Sequence, residues 1–255
     1  VGHPQFERPF GISVPASYGL VAQRYMHDYG VTREQLAAIA VQHREHASRH
    51  PKAQKRTPIT VADVLASKPI AEPLHLLDCC LISDGGAAVV VSSRAAARDA
   101  KGKPIEILGA GQGHTHEHIV VTPSLVDFGC KASSRAAFER AGVTAADIDV
   151  AEIYDSFTIT LAVELESIGF FERGEAGAAA ARGALGLHGK LPCNTHGGLM
   201  SYAHSGAAGG MFHAVEAVHQ LRGNAAARQV QDARLAFVHG DGGILSAHCS
   251  LVFGA

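Results

Sequence analysis

"NTHGGLMSYAHSGAAGG", residues 194–210, holds five glycines, two histidines, one tyrosine and two serines, and runs straight into "MFHAVEAVHQLRG". The second stretch reads as a helix. Met211, Val215, Val218 and Leu221 fall on one stripe, as in a helix packed against a sheet. Glycines let a backbone approach a ligand or a neighbouring element closely. A helix start leaves N–H groups unpaired and carries the positive end of the dipole. An imidazole just ahead of it, His204, therefore stands where negative charge can be stabilised. The same pattern also fits a plain strand-to-helix turn whose glycines serve close packing alone.

Around this turn the chain alternates strands and helices. "PIEILGAGQG" (104–113) reads as a strand, and Ser133 to Ala141 as a helix stopped by Gly142. "TAADIDVAEIYDSF" (144–157) reads as a capped turn running into a strand, and "TITLAVELESIGF" (158–170) as a helix. "RLAFVHG" and "ILSAHCSLVFG" read as two strands joined by a tight "DGG" hairpin. In the second, Leu245, Ala247, Cys249, Leu251 and Phe253 share one face, and Ser246, His248 and Ser250 the other. Further upstream, "GGAAVVVSS" (85–93) reads as a buried strand and "SRAAARDAKG" (93–102) as a helix. This alternation implies an α/β layered fold. Val1 to about Pro73 has another texture. A helix over 17–30 precedes one opened by a Thr32/Gln35 capping box, with Ile39 and Val41 on its apolar side, and a short one is capped by Thr60. "RGEAGAAAARGALG" (173–186) reads as a flexible surface loop.

Of the 255 residues, 47% are apolar and 18% charged, with net charge −2. That composition supports a large core and excludes neither face of metabolism, but it argues against nucleic-acid or membrane-surface binding. No apolar run reaches the roughly 18 residues of a membrane span, and no signal-peptide pattern is present. Five cysteines without CxxC spacing point to a reduced, cytoplasmic protein without disulfides. The sequence opens on valine and reads as the inside of a longer protein.

Strand ends are where α/β folds bind ligands, which singles out Tyr154 and His239. Each has a plainer account: a buried tyrosine followed by a helix cap at Asp155 or Ser156, and a surface histidine beside a turn. His114, His116 and His118 alternate as metal ligands on a strand do, but no acidic or cysteine partner stands at a recognised spacing. A solvated loop, and no metal site, is the expectation. Cys79 and Cys80 sit in an apolar run and read as small hydrophobes. No cysteine is placed like a primed nucleophile.

In this order, "SYGLVAQRYMHDYGVTREQLA", "RTPITVADVLASKPIAEPLHLLDCCLISDGGAAVVV", "AEIYDSFTIT" and "NTHGGLMSYAHSGAAGG" resemble the thiolase superfamily, nearest its sterol carrier protein thiolase-like branch. The resemblance implies an α/β, layered αβαβα fold. Residues 1–75 would be a helical loop or lid region, 76–103 the last strand and helix of the N-terminal half, and 104–255 the C-terminal half. It implies that the nucleophilic cysteine of thiolases lies outside this chain. It further implies departures at the remaining motifs: Tyr154 stands for the asparagine that holds a catalytic water, His204 is kept from the Gly-His-Pro motif, and His239 replaces the acid/base cysteine.

The catalytic set so implied is His204, His239, Tyr154 and Tyr202. His204 would polarise a thioester carbonyl, and His239 or Tyr154 would exchange the proton. The substrate would be a CoA thioester, with no bound cofactor, and the reaction an acyl transfer or retro-aldol cleavage in lipid or steroid metabolism. A homodimer or higher oligomer is implied, with an OB-fold partner subunit in some members. The rival expectation is a catalytically silent subunit that binds acyl-CoA or scaffolds a partner.

Overall fold

The structure is a computed structural model and describes residues 3–99 and 101–255. It opens with α1 (Val14–Tyr29), α2 (Arg33–Ser48) and α3 (Val61–Ala66), then a small ribbon of β1 (Pro69–Ala71) and β2 (Leu74–His75). A short α4 (Arg94–Ala97) precedes β3 (Glu106–His114), α5 (Cys130–Ala141), β4 (Val150–Ile153) and α6 (Thr158–Ile168). The chain ends with α7 (Ala176–Ala181), α8 (Gly198–Ser201), α9 (Gly209–Leu221), β5 (Leu235–Gly242) and β6 (Ala247–Gly254).

The main sheet has strand order β3-β6-β5-β4. β6 runs antiparallel to both β3 and β5, whereas β4 runs parallel to β5. Strand alternation divides the apolar side chains between two layers. Val150, Ala236 and Val238 pack under α9 with Ala217 and Leu221. Ala151, Ile153 and Phe237 belong to the opposite core with Phe138, Leu161 and Leu165, beneath α5 and α6. The N-terminal helices cover this second layer through contacts of α1 and α2 with α6, and of α2 with α7 and α8. The result is the mixed α/β layered fold expected from the sequence.

Close approach of α5 to β3 rests on three glycines. A Cβ at Gly109, Gly111 or Gly113 would lie 2.0, 2.1 or 2.0 Å from the carbonyl oxygens of Ala137, Ser133 and Gly129. Only a bare backbone fits there. Gly111→Ala is expected to push the helix off the strand and cost at least about 1–3 kcal/mol, read as a lower urea midpoint with an unchanged slope. An unchanged midpoint would show that α5 has room to move.

Several local readings change in the structure. "GGAAVVVSS" forms no strand. Val90 is 96% exposed and Val91 73%, because among the described residues no strand lies beside this stretch to complete a ladder. Only Arg94–Ala97 of the following helix forms, and residue 100 lies outside the described residues. "RGEAGAAAARGALG" is not a loose loop. It contains α7, whose Ala176, Gly177, Ala179 and Ala180 are buried, and a Cβ at Gly177 would meet the backbone of Gln35 on α2. Alanine composition here serves close helix packing. The terminal hairpin turns over Gly243–Ser246, with Asp241 and Gly242 still paired in β5, so Leu245 and Ser246 leave the strand. In β6 the polar set is the buried one: His248 and Ser250 face inward while Cys249 is exposed.

Candidate active site

Tyr154 follows β4 directly, and its Oη lies 2.8 Å from Nε2 of His204. His204 stands in the loop between α8 and α9. Its Nδ1 lies 3.2 Å from the carbonyl oxygen of Leu81 and 3.4 Å from Cys80 Sγ. A carbonyl can only accept, so Nδ1 carries the hydrogen and the neutral ring keeps its lone pair on Nε2. Tyr154 Oη–H therefore donates to His204. Reciprocal backbone bonds hold the loop: Ser83 N–H donates to the His204 carbonyl at 2.9 Å, and His204 N–H to Ser83 Oγ at 3.2 Å. The ring lies against the start of α9, where a Cβ at Gly209 would be 2.8 Å from His204 Cδ2. Burial raises the Tyr154 phenol above its ordinary range, and Asp241 adds to the shift, so the hydroxyl stays protonated at neutral pH.

Tyr202 closes α8 and packs its ring against His50, His196 and Phe212 at centroid distances of 4.6, 5.1 and 5.5 Å. It belongs to the same side of the sheet as Tyr154, which is linked to it through His213 and His196. His239 meets Tyr154 through the backbone, its carbonyl accepting from Tyr154 N–H at 3.0 Å, but its ring is engaged elsewhere. On β5 its side chain shares the opposite layer with Phe237, and its ring contacts Ser250 and His248. It is fully buried, not a surface residue beside a turn.

Sequence reasoning missed a buried polar layer around this pair. Asp155 is no local helix cap. Its carboxylate accepts from Leu199 N–H at 2.8 Å and from His43 Nδ1 at 2.9 Å, anchoring α8 and α2 beneath Tyr154. A Cβ at Gly198, whose φ is +63°, would fall 2.1 Å from Asp155 Oδ2. Glu152, also on β4, accepts from Thr195 N–H and Oγ1–H, and its Oε2 lies 3.0 Å from His196 Nδ1. The carboxylate is held below its usual range by His196 and His213 despite burial. Desolvation works against the charged form of His196, and Glu152 outweighs it to raise the imidazole. Of the expected Met211, Val215, Val218 and Leu221 stripe of α9, Leu221 is buried and Val218 packs against the core, but the buried face also carries His213, Glu216 and Gln220. The sequence signal was present as isolated polar residues inside apolar stretches, in "VAEIYD" and in "FHAVEAVHQ".

The other candidates fall away. His116 Nε2 lies 3.0 Å from the Ile244 carbonyl, while His118 is 3.5 Å from Glu7, and the 114–118 histidines do not converge. Burial pushes the thiols of Cys79 and Cys80 up to about 12, which makes them poor nucleophiles.

Fold and site together define an α/β layered protein with its polar pair at the carboxyl end of a parallel strand. Residues 111–255 match the family model "Thiolase C-terminal domain-like". The chain belongs to the thiolase superfamily, in its sterol carrier protein thiolase-like branch. It is 37% identical, over 96% of its length, to an acetyl-CoA acetyltransferase of Methanothermobacter thermautotrophicus, covering 65% of that protein. It is 41% identical to a steroid side-chain-cleaving aldolase of Thermomonospora curvata, over 84% of the chain and 56% of the relative. Among solved structures, the Ltp2-ChsH2(DUF35) aldolase matches with a TM-score of 0.90 and 38% identity, over 97% of this chain and 65% of that one. The chain thus spans somewhat under two thirds of these relatives.

Proposed function

We propose that this chain is the C-terminal portion, with its helical lid region, of an enzyme that makes or breaks a carbon–carbon bond in a CoA thioester. The observation that carries this reading is the 2.8 Å Tyr154–His204 contact, with His204 tautomerically set by Leu81. Cleavage beside a carbonyl needs a base for one proton and a donor for the developing enolate oxygen. In the retro-aldol direction, Tyr154 Oη takes the proton of a substrate hydroxyl as its own proton passes to His204 Nε2. The resulting imidazolium keeps Nδ1–H on Leu81, and its new Nε2–H is a donor able to polarise a thioester carbonyl. The carbon–carbon bond then breaks: the substrate oxygen becomes the carbonyl of one product, the bonding pair passes to the α-carbon as a thioester enolate, and that carbon takes back the proton held by the His204–Tyr154 pair. Of the two candidates for proton exchange, Tyr154 fits better than His239, both of whose ring nitrogens face Ser250 and His248. Tyr202 lies along the same polar layer and would border the acyl portion.

Aldol-type chemistry fits better than two-cysteine Claisen chemistry. A phenol and an imidazole stand at motif positions where thiolases use asparagine and cysteine, and the cysteines with perturbed thiols are raised, not activated. Likeness to the aldolase of known structure supports a small partner subunit, and a self-associated assembly would follow from the family. Among the described residues no helix is long and apolar enough to cross a membrane.

The test is the full-length protein with its partner, assayed on β-hydroxyacyl-CoA thioesters for release of a carbonyl product. His204→Ala is expected to fold normally and lose about 10²–10⁴-fold in kcat. Parent-like turnover by this variant would remove His204 from the chemistry, and no cleavage by the parent would favour the silent-subunit alternative.

A further inference from the structure

Beyond the Tyr154–His204 pair, the layer of side chains that shares the Phe237 face of the sheet holds a second cluster that the chemistry above does not use. Glu164 on α6, His239 on β5 and His248 on β6 meet there, each with its side chain fully buried. His239 Nε2 lies 3.6 Å and His248 Nδ1 3.9 Å from Glu164 Oε1, and the two nitrogens are 3.1 Å apart. We propose that Glu164, His239 and His248 form a buried site for a first-row divalent metal ion, zinc in the first instance.

Three features carry this. The first is ligand geometry. Donors bound at about 2.0–2.2 Å in a tetrahedral shell stand roughly 3.3–3.5 Å from one another, and the three observed separations of 3.1, 3.6 and 3.9 Å bracket that value.

The second is outer support. His248 Nε2 lies 3.0 Å from the Leu245 carbonyl, and His239 Nδ1 2.8 Å from Ser250 Oγ. Metal-bound imidazoles characteristically give their other N–H to such a carbonyl or hydroxyl. The Leu245 carbonyl fixes the hydrogen on His248 Nε2 and leaves the Nδ1 lone pair facing the cluster.

The third is charge. Both oxygens of Glu164 are buried without a hydrogen-bond partner. A proton shared between the imidazoles accounts for their 3.1 Å contact, but it leaves this carboxyl unanswered. Asp241, which pairs with His248 across β5–β6, adds a second, half-buried carboxylate whose Oδ2 accepts from Tyr18 Oη–H and whose Oδ1 is unpartnered. The Glu152–His196–His213 group has comparable geometry, but there Glu152 Oε1 already accepts from Thr195 N–H and Oγ1–H. Neither oxygen of Glu164 accepts such a hydrogen bond. His239 and His248 stand nine residues apart across the terminal hairpin, but Glu164 comes from a helix much earlier in the chain, which is why no metal spacing shows in the sequence.

The test uses full-length protein stripped with EDTA, dialysed and titrated with Co²⁺, then Zn²⁺. The stripped parent is expected to bind one equivalent of Co²⁺ with the visible absorption of a low-coordinate ion, to exchange it for Zn²⁺, and to gain thermal stability with either metal. Losing an outer-shell partner typically weakens metal affinity about 10–100-fold, so Ser250→Ala should fall in that range and Glu164→Gln below it. His204→Ala lies outside the cluster and should bind as the parent does. If the stripped parent takes up no metal at high micromolar concentrations, or if Glu164→Gln matches the parent, the site does not exist. Either result leaves the Tyr154–His204 reading untouched, because these readouts are independent of turnover.

Discussion

Tyr154→Phe in the full-length protein is expected to lower kcat on a cleavable acyl-CoA by about 10²–10³-fold while KM changes little. The substitution keeps the ring and its packing beside His213 and deletes only the hydroxyl that donates to His204. Without it, His204 Nε2 has no proton relay toward the substrate, although Leu81 still orients the ring. Circular dichroism and the unfolding midpoint should match the parent, because a half-buried phenol contributes little to the core. A loss of stability with turnover per folded molecule preserved would make Tyr154 a packing residue. A variant that turns over like the parent would hand the proton to another group.

Asp155→Ala is expected to act oppositely, on stability. Its fully buried carboxylate accepts from Leu199 N–H, Met200 N–H and His43 Nδ1. Truncation would strand two backbone donors and one imidazole away from water. Leaving a buried donor without its partner costs about 1–3 kcal/mol each, together a large part of the roughly 5–15 kcal/mol by which a domain is stable. Urea unfolding of the full-length protein measures this directly. Asp155→Asn should lose less, since the amide oxygen still accepts from Leu199. A drop below about 1 kcal/mol for Asp155→Ala would mean that water enters and satisfies the stranded groups.

Both predictions depend on one arrangement. Asp155 follows Tyr154 in sequence, so the residue that anchors α8 and α2 also fixes the end of β4 from which the phenol projects. Loosening Asp155 should therefore reduce activity through Tyr154 as well, whereas Tyr154→Phe should leave the anchor intact. Measuring both variants for both properties separates positioning from chemistry.

The amino-acid sequence alone determined the layered α/β class, the helix boundaries set by capping residues, and the family. Thr32 with Gln35 forms the expected capping box at the start of α2, and Gly142 ends α5 as the glycine stop predicted. These are local effects, decided within a few residues of the chain. Tyr154, Tyr202 and His204 could be singled out as candidates from their motif positions near strand and helix ends. Only the tertiary structure decided which of them meet. Strand alternation turns Tyr154 toward His204 and turns His239 to the other face of the sheet, and nothing local to "VHGDGG" reveals that separation. Burial of the polar face of β6, and of His213 and Glu216 on α9, was likewise decided by neighbours far along the chain. The exposure of Val90 and Val91 makes the same point in reverse. Their β-branched side chains state a preference for a strand, but a strand exists only where another backbone lies alongside to pair with it.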